Sequence, residues 1–194
     1  MYRVAQFLRS KLSWAWNFVE WINSILFHFL YCKKLRSVSL SEMTEGYTFY
    51  PIVTVSSGEL VDFFAHQPED AFKYFHPHEF DEKAINKLKR NRAFLAYVLK
   101  EDMTGKIIGY CFNRCYFFGR GFRGRLVDIN YRGKGLGIAM NKILNEVGFG
   151  IGLKLFETVS KDNIASYRSA LSASKVRIVK EMSNNELYLE ILNE

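Results

Sequence analysis

Between Val127 and Val147 a strand-like run passes through Arg132-Gly133-Lys134-Gly135-Leu136-Gly137 directly into a helix. Leu136, Ala139, Met140, Ile143, Leu144 and Val147 recur at spacings of three and four, which marks one apolar face of an amphipathic helix. A helix start carries unpaired N–H groups and the positive end of its dipole. Glycines let the backbone approach a ligand closely, and Arg132 and Lys134 add positive charge. Together these make an anion site suited to a pyrophosphate. Two other glycine loops fail on spacing. A Gly-x-Gly-x-x-Gly fingerprint started at Gly133 or Gly135 places its last glycine at Ile138 or Met140, and Lys134 is followed by Gly135 rather than the Ser or Thr of a P-loop. On the glycines alone, a tight strand–helix turn without ligand stays open.

The rest of the chain alternates strands and helices. Tyr47 to Val55 reads as a strand, Gly58 to Ala65 as a short helix, and Asp81 to Arg90 as a second helix with Asp81 as its N-cap. Strands are expected at Phe94 to Leu99, Ile107 to Phe118, and, after a turn at Gly119 to Gly121, on to about Ile129. Leu153 to Val159 reads as a strand and Asp162 to Ser172 as a helix. A closing hairpin is expected, with Val176 and Ile178 on one side of Ser183-Asn184-Asn185 and Leu187, Leu189 and Ile191 on the other. This order predicts a mixed α/β (α+β) domain over residues 39–194, with a largely antiparallel sheet flanked by helices.

Residues 1–38 stand apart as an apolar, aromatic helical segment. Leu8, Leu12, Ala15, Val19, Ile22, Leu26 and Phe29 form a helical stripe, while Trp14, Trp16, Phe18, Trp21, Ile25 and Phe27 make the other faces apolar too. Arg3, Arg9 and Lys11 flank one end; Lys33, Lys34 and Arg36 flank the other. Asn17, Glu20, Asn23, Ser24 and His28 interrupt any membrane span, which needs about 20 predominantly apolar residues. An anionic membrane surface bound through residues 1–36 fits the tryptophans and basic flanks; a helix docked on the domain or on a second subunit, as in a homodimer, is the alternative. The net charge of +7 calls for an anionic partner without naming it. Three dispersed cysteines, Cys32, Cys111 and Cys115, fit neither a disulfide framework nor a zinc site and imply reduced thiols in a cytoplasmic protein. No basic head, apolar run and cleavage site of a secretory signal is apparent.

Arg132-Gly133-Lys134-Gly135-Leu136-Gly137 resembles the Arg/Gln-x-x-Gly-x-Gly/Ala motif of the GNAT acetyltransferase superfamily, and Val159-Ser160-Lys161-Asp162-Asn163-Ile164-Ala165-Ser166 is similar to that family's strand-then-Asn segment. The order of elements from Tyr47 to Ile191 is similar to the whole GNAT fold. The resemblance implies an acyltransferase that moves an acetyl group from acetyl-CoA, without a metal, to an amine acceptor. It implies that the backbone of Arg132, Gly133, Lys134, Gly135, Leu136 and Gly137 holds the pyrophosphate. It also implies that the strand around Val127 and Ile129 pairs with pantetheine and polarises the thioester carbonyl, and that Asn163 lies beside the same arm. Two departures stand out. The family's Tyr seven residues after the Asn is Ala170 here, with Tyr167 one turn earlier as the candidate proton donor; and Ser174-Lys175 replaces the usual Gly-Phe.

Glu157, toward the end of its strand, is the candidate base for the acceptor amine, with Asp128 as the substitute and a solvent-facing carboxylate as the plainer reading of Glu157. His76 and His78 in Phe75-His76-Pro77-His78 are candidate acceptor-binding residues, and this segment resembles those of GNAT proteins acting on amino sugars of surface polysaccharides, nucleotide-linked ones among them. A plain loop is their alternative. Two other readings of the chain remain. One is a non-catalytic, membrane-docked module of the same fold. The other is a nucleic-acid binder through Gly119-Arg120-Gly121-Phe122-Arg123-Gly124-Arg125, a run that more simply makes a hairpin turn. Nucleic acid is not the expected partner.

Overall fold

The computed structural model describes residues 13–38 and 45–193. Leu8, Leu12 and the basic Arg3, Arg9 and Lys11 lie outside these residues. The elements are α1 (Ser13–Ser37), β1 (Tyr47–Pro51), α2 (Ser57–Ala65), α3 (Glu82–Arg90), β2 (Phe94–Glu101), β3 (Ile107–Tyr116), β4 (Arg120–Val127), α4 (Leu136–Gly150), β5 (Lys154–Ser160), α5 (Ile164–Ala173), β6 (Val176–Glu181) and β7 (Glu186–Ile191). They build a seven-stranded sheet in the order β1-β2-β3-β4-β5-β7-β6. Every neighbouring pair is antiparallel except β4 and β5.

Local chemistry sets the boundaries. β1 stops at Pro51, earlier than the apolar run predicts, because Ile52 to Thr54 tighten into a 3₁₀ turn that buries Ile52. Asp81 caps α3 as expected, its carboxylate accepting from the Ala84 N–H at 2.8 Å. β4 ends at Val127 rather than Ile129, since Asp128 caps another 3₁₀ turn by accepting from the Asn130 N–H at 2.9 Å.

Strand alternation divides the core between the two faces of the sheet. On one face Phe94, Ala96, Val98, Tyr110, Phe112 and Leu126 pack against Leu60, Phe63 and Phe64 of α2 and Ile85 and Leu88 of α3. On the other, Leu99 and Cys111 pack against Leu136, Met140 and Leu144 of α4. Gly109 of β3 is where that helix comes closest: a Cβ there would sit 1.9 Å from the Met140 methyl.

α1 is docked on this same face of its own domain. Phe27 is fully buried in a cluster with Cys115, Ile151, Leu153 and Leu155, a burial contributing about 1.5–3 kcal/mol. Asn23 donates to the Cys115 carbonyl at 2.9 Å and accepts from the Phe117 N–H at 3.0 Å. The Arg92 N–H donates to the Ser24 hydroxyl at 2.9 Å, and Lys87 pairs with Glu20 at 3.0 Å. The opposite side of the helix is left uncovered: Trp14, Phe18, Val19, Trp21, Leu26, Phe29 and Leu30 are all exposed. Among the described residues no helix is long and apolar enough to cross a membrane.

Candidate active site

The centre of the molecule is a wedge between β4 and β5. These strands pair only at Arg120↔Lys154, Gly121↔Leu155 and Phe122↔Phe156. The direction of the unpaired groups follows from the register. The Asp128 N–H donates to the Ile108 carbonyl at 2.8 Å, and Gly109 lies opposite Val127. Hydrogen-bonded and non-hydrogen-bonded pairs alternate in an antiparallel ladder. The even-numbered residues of β4 therefore bond β3, and Arg123, Arg125 and Val127 turn their N–H and C=O groups toward β5. The Lys154 N–H donates to the Gly119 carbonyl at 2.9 Å, with the same parity. Beyond Phe122 that edge of β4 has no strand beside it.

The wedge runs up to the glycine loop. Gly133 and Gly135 have φ of +79° and +78°, a conformation that is costly for any residue with a Cβ. An added Cβ at either would meet nothing within 4 Å, so the two are required by backbone shape, not by crowding. Gly135 is the N-cap of α4 and has no side chain to cap it. The first bonds into its carbonyl come from Ile138 at 2.9 Å and Ala139 at 3.2 Å. The N–H groups of Leu136 and Gly137 precede any intrahelical acceptor. Leu136 itself is buried, so its side chain belongs to the core and not to a ligand. A Cβ on Gly137 would lie 3.1 Å from the Ser169 hydroxyl, so glycine there lets α4 and α5 lie close together. Arg132 and Lys134 are exposed at the rim, with the Lys134 ammonium over the Tyr131 ring at 4.6 Å.

On the α4–α5 face the wedge is crossed by a charged network that sequence reasoning missed. Arg123 Nε donates to Glu157 Oε2 at 2.7 Å, and Arg125 donates to the same oxygen at 3.2 Å. Arg123 also donates to Asn145 of α4. Arg125 donates to the carbonyl and hydroxyl of Ser166 on α5, at 2.8 and 3.0 Å. The Glu157, Arg123 and Arg125 side chains are 2%, 0% and 9% exposed. Glu157 is therefore not the solvent-facing carboxylate its strand position suggested. Burial alone would raise its pKa; the two guanidiniums outweigh that and hold it below the ordinary carboxylate range. A carboxylate held this way is a poor proton acceptor. The same contacts count against a nucleic-acid surface on residues 119–125. They are mostly strand β4, and Arg123 and Arg125 are spent inside the protein.

Asp128 is buried and also committed. It accepts from Gln67 Nε2 at 3.0 Å and the Asn130 N–H at 2.9 Å. Gln67 returns the contact, its Oε1 accepting from the Ile129 N–H at 3.3 Å. Of the two backbone positions expected to face pantetheine, Ile129 thus has its N–H occupied, while Val127 faces the wedge.

Asn163 caps α5, its side chain accepting from the Ser166 N–H at 3.2 Å. Tyr167 is half-buried against Val159, Leu187 and Leu189. Ala170 is fully buried. On the opposite face His76 is exposed, and His78 lies among Phe64, Phe80, Phe94, Tyr110 and Phe112. His78 Nδ1 lies 2.7 Å from the Glu79 carbonyl, so it donates, and Nε2 accepts from the Tyr110 hydroxyl at 3.0 Å. Burial pushes the Tyr110 pKa well up, which keeps it a donor. The structure thus separates the two histidines. Among the described residues no group of His, Cys, Asp and Glu is placed to hold a metal.

Solved structures superimpose on this fold. The GNAT domain of S. lividans PAT superimposes with a TM-score of 0.63 at 13% identity, over 74% of this chain and 88% of that one. The fold is the GNAT fold. A spermidine N-acetyltransferase SpeG chimera from Vibrio cholerae and hSSAT gives 0.60 at 16% identity, covering 76% of this chain and 96% of that one. AAC(6')-Ib, solved in complex with paromomycin and acetyl-CoA, gives 0.57 at 14%, over 76% and 93%. The sequence matches no family model and no curated protein. Within the GNAT fold, α1 and its docking surface precede β1, outside the element order that the sequence motifs cover.

Proposed function

We propose that this chain is an N-acetyltransferase that transfers an acetyl group from acetyl-CoA to an amine. The observation that carries the reading is the open β4 edge at Arg125 and Val127, which leads onto the uncapped start of α4. Backbone amides without a strand partner fit the amides of a pantetheine arm, and the loop N–H groups with Arg132 and Lys134 fit a pyrophosphate. The AAC(6')-Ib complex with acetyl-CoA supports the same co-substrate for this fold.

Acetyl-CoA supplies a thioester whose carbonyl carbon the neutral amine attacks; the C–N bond forms, the C–S bond breaks to release the CoA thiolate, and the proton shed by the nitrogen passes to water. The Val127 N–H is the donor placed to stabilise charge on the carbonyl oxygen, a contribution of roughly 3 kcal/mol for a well-aimed donor. Arg123, Arg125 and Glu157 hold β4, β5, α4 and α5 in register around the wedge and so position that donor. Asn163 acts through α5, fixing its start beside the pantetheine path. Tyr167 remains the candidate donor to the departing thiolate. His78, through Tyr110, orders the aromatic wall above the acceptor side, and exposed His76 is the one available to touch an acceptor. The segment Phe75-His76-Pro77-His78 no longer favours amino sugars by itself, since His78 is half-buried and held by the Tyr110 hydroxyl and the Glu79 carbonyl.

The test is thiol release from acetyl-CoA with a panel of amines. Release that depends on the amine and yields acetylated product supports the reading. Binding of acetyl-CoA without release supports the non-catalytic module of the same fold.

The outward face of α1 supports peripheral binding to anionic lipid at the inner face of the membrane. Its exposed side chains include Trp14, Trp21 and Phe29, and no acidic residue joins them on that arc. Both ends of the segment are basic in sequence, so a second copy laid on it in either direction would bring like charges together. Co-sedimentation with phosphatidylglycerol vesicles at low salt is expected, with loss at high salt. A concentration-dependent dimer that ignores vesicles would replace this reading with the homodimer.

A further inference from the structure

The acceptor side of the wedge carries a built surface that none of the expected site residues describes. Helices α2 and α3 cover this face of the sheet over β2 and β3. Farther along, the face presents aromatic rings in contact. Phe122 of β4 lies 5.7 Å from Phe156 of β5 and 6.2 Å from Tyr188 of β7, and Phe156 stacks on Tyr188 at 5.4 Å with 12° between planes. Tyr116 of β3 meets Phe122 edge-on at 5.8 Å. Phe156 is 6% exposed; the flanking Phe122 and Tyr188 are half-buried, and Lys154 and Thr158 on either side of Phe156 are exposed, so solvent reaches the edges of the platform.

Charge around the platform is one-sided. The Arg120 guanidinium lies over the Phe156 ring at 5.6 Å. Strand alternation places Lys154 on the same face, and the β6–β7 register sets Lys180 opposite Tyr188 and Arg177 opposite Glu190. Arg114, two residues before Tyr116, lies over Phe94 at 5.7 Å. Strand β7 places Glu186 and Glu190 on this face beside Tyr188. Glu190 is neutralised by Arg177 at 3.0 Å, and Glu186 accepts from Asn184 at 2.6 Å. Spermidine and aminoglycosides, the acceptors of two of the structural neighbours, are polycations and would be repelled here.

We infer that the Phe122–Phe156–Tyr188 platform with Arg120 and Lys154 is the acceptor subsite, and that the acceptor is an anionic, ring-bearing amine of the nucleotide-linked class. This rests on the acetyltransferase reading above. The half-buried Phe122 and Tyr188 rings, held in place by buried Phe156, offer apolar surface to a planar base, and guanidinium and ammonium groups at the rim meet phosphate. The geometry also asks for length. Phe122 sits at the apex of the wedge, while Val127, beside the thioester, is five residues along, up to about 17 Å at strand rise. An acceptor reacting at one end and stacking at the other must be extended, with its amine and its ring far apart.

The experiment uses the full chain saturated with CoA, so that the glycine loop is filled, and titrates UDP as probe. Binding is expected, weakened tenfold or more in Arg120→Glu and in Lys154→Glu, both exposed positions whose loss leaves the core intact. In turnover, a UDP-linked amino sugar should be preferred to spermidine and kanamycin. The same variants should raise its KM tenfold or more without changing the KM for acetyl-CoA. A preference for spermidine or kanamycin, or UDP binding that neither variant weakens, overturns the inference. If acetyl-CoA binds but no amine is acetylated, the transferase reading fails alone, and the UDP titration still decides the subsite. Absence of UDP binding then overturns it.

Discussion

Replacing Glu157 by Gln keeps the side-chain shape and removes one charge. That charge faces two guanidiniums, Arg123 fully buried and Arg125 nearly so. Burial pulls the Arg123 pKa down and Glu157 is the main influence holding it up, so the variant leaves a buried cation without its partner. Breaking a buried pair from one side costs about 3–5 kcal/mol. For a chain of this size each kcal/mol is worth about 2–4 °C in Tm, so the melting temperature should fall by roughly 6–20 °C. Circular dichroism melts and urea titration measure it directly. The same pair predicts acid lability. Glu157 has a depressed folded-state pKa, so its contribution is present above the ordinary carboxylate pKa. It is lost as pH falls through the lower folded-state value. The wild-type chain should lose more stability than Glu157→Gln on acidification. A variant within about 1 kcal/mol of wild type, with the same acid dependence, would refute the network as drawn. A base role predicts something different: a full-strength fold, with kcat down by 10²-fold or more and its pH profile altered.

Gly135→Val should cost about 1–2 kcal/mol through its left-handed backbone and weaken acetyl-CoA binding at least tenfold by calorimetry; unchanged affinity in a folded variant would remove the loop from the site. Tyr167→Phe should lower kcat by roughly 10²-fold if Tyr167 protonates the leaving thiolate. An unchanged kcat would make it a packing residue of the Val159–Leu187–Leu189 cluster. Burial pushes the Cys111 thiol up to about 12 and raises Cys115 still further, so both should resist alkylation until the protein unfolds. Half-exposed Cys32 reacts first; mass spectrometry that finds Cys111 or Cys115 labelled in the native state would contradict the buried strand.

The sequence was most informative where periodicity and caps agree. The α4 stripe, the Asp81 cap and the closing hairpin all appear where they were expected, and the glycine loop sits at the strand–helix junction. It was least informative about which side of a strand a helix would cover. Arg123, Arg125 and Glu157 read as surface residues because charged groups are seldom fully buried unless paired. Their partners, Asn145 and Ser166, come from two different helices 20 and more residues away, and no local pattern announces that meeting. For α1 the all-round apolar character hid the distinction between a docked face and an exposed one. Asn23, Ser24 and Glu20, which looked like interruptions of a span, turn out to be its anchors to Cys115, Phe117, Arg92 and Lys87. The acceptor platform was invisible because its rings come from four strands.

Hydrogen–deuterium exchange with and without acetyl-CoA tests the wedge most directly. The open edge of β4 leaves the Arg125 and Val127 amides facing β5 without a strand partner, and the loop N–H groups precede the α4 ladder. Acetyl-CoA should therefore slow exchange in Arg123–Val127 and in Arg132–Gly137, leaving α1 and β1 unchanged. Protection confined to other segments, or none at saturating acetyl-CoA, would contradict the assignment of the wedge as the place where acetyl-CoA binds.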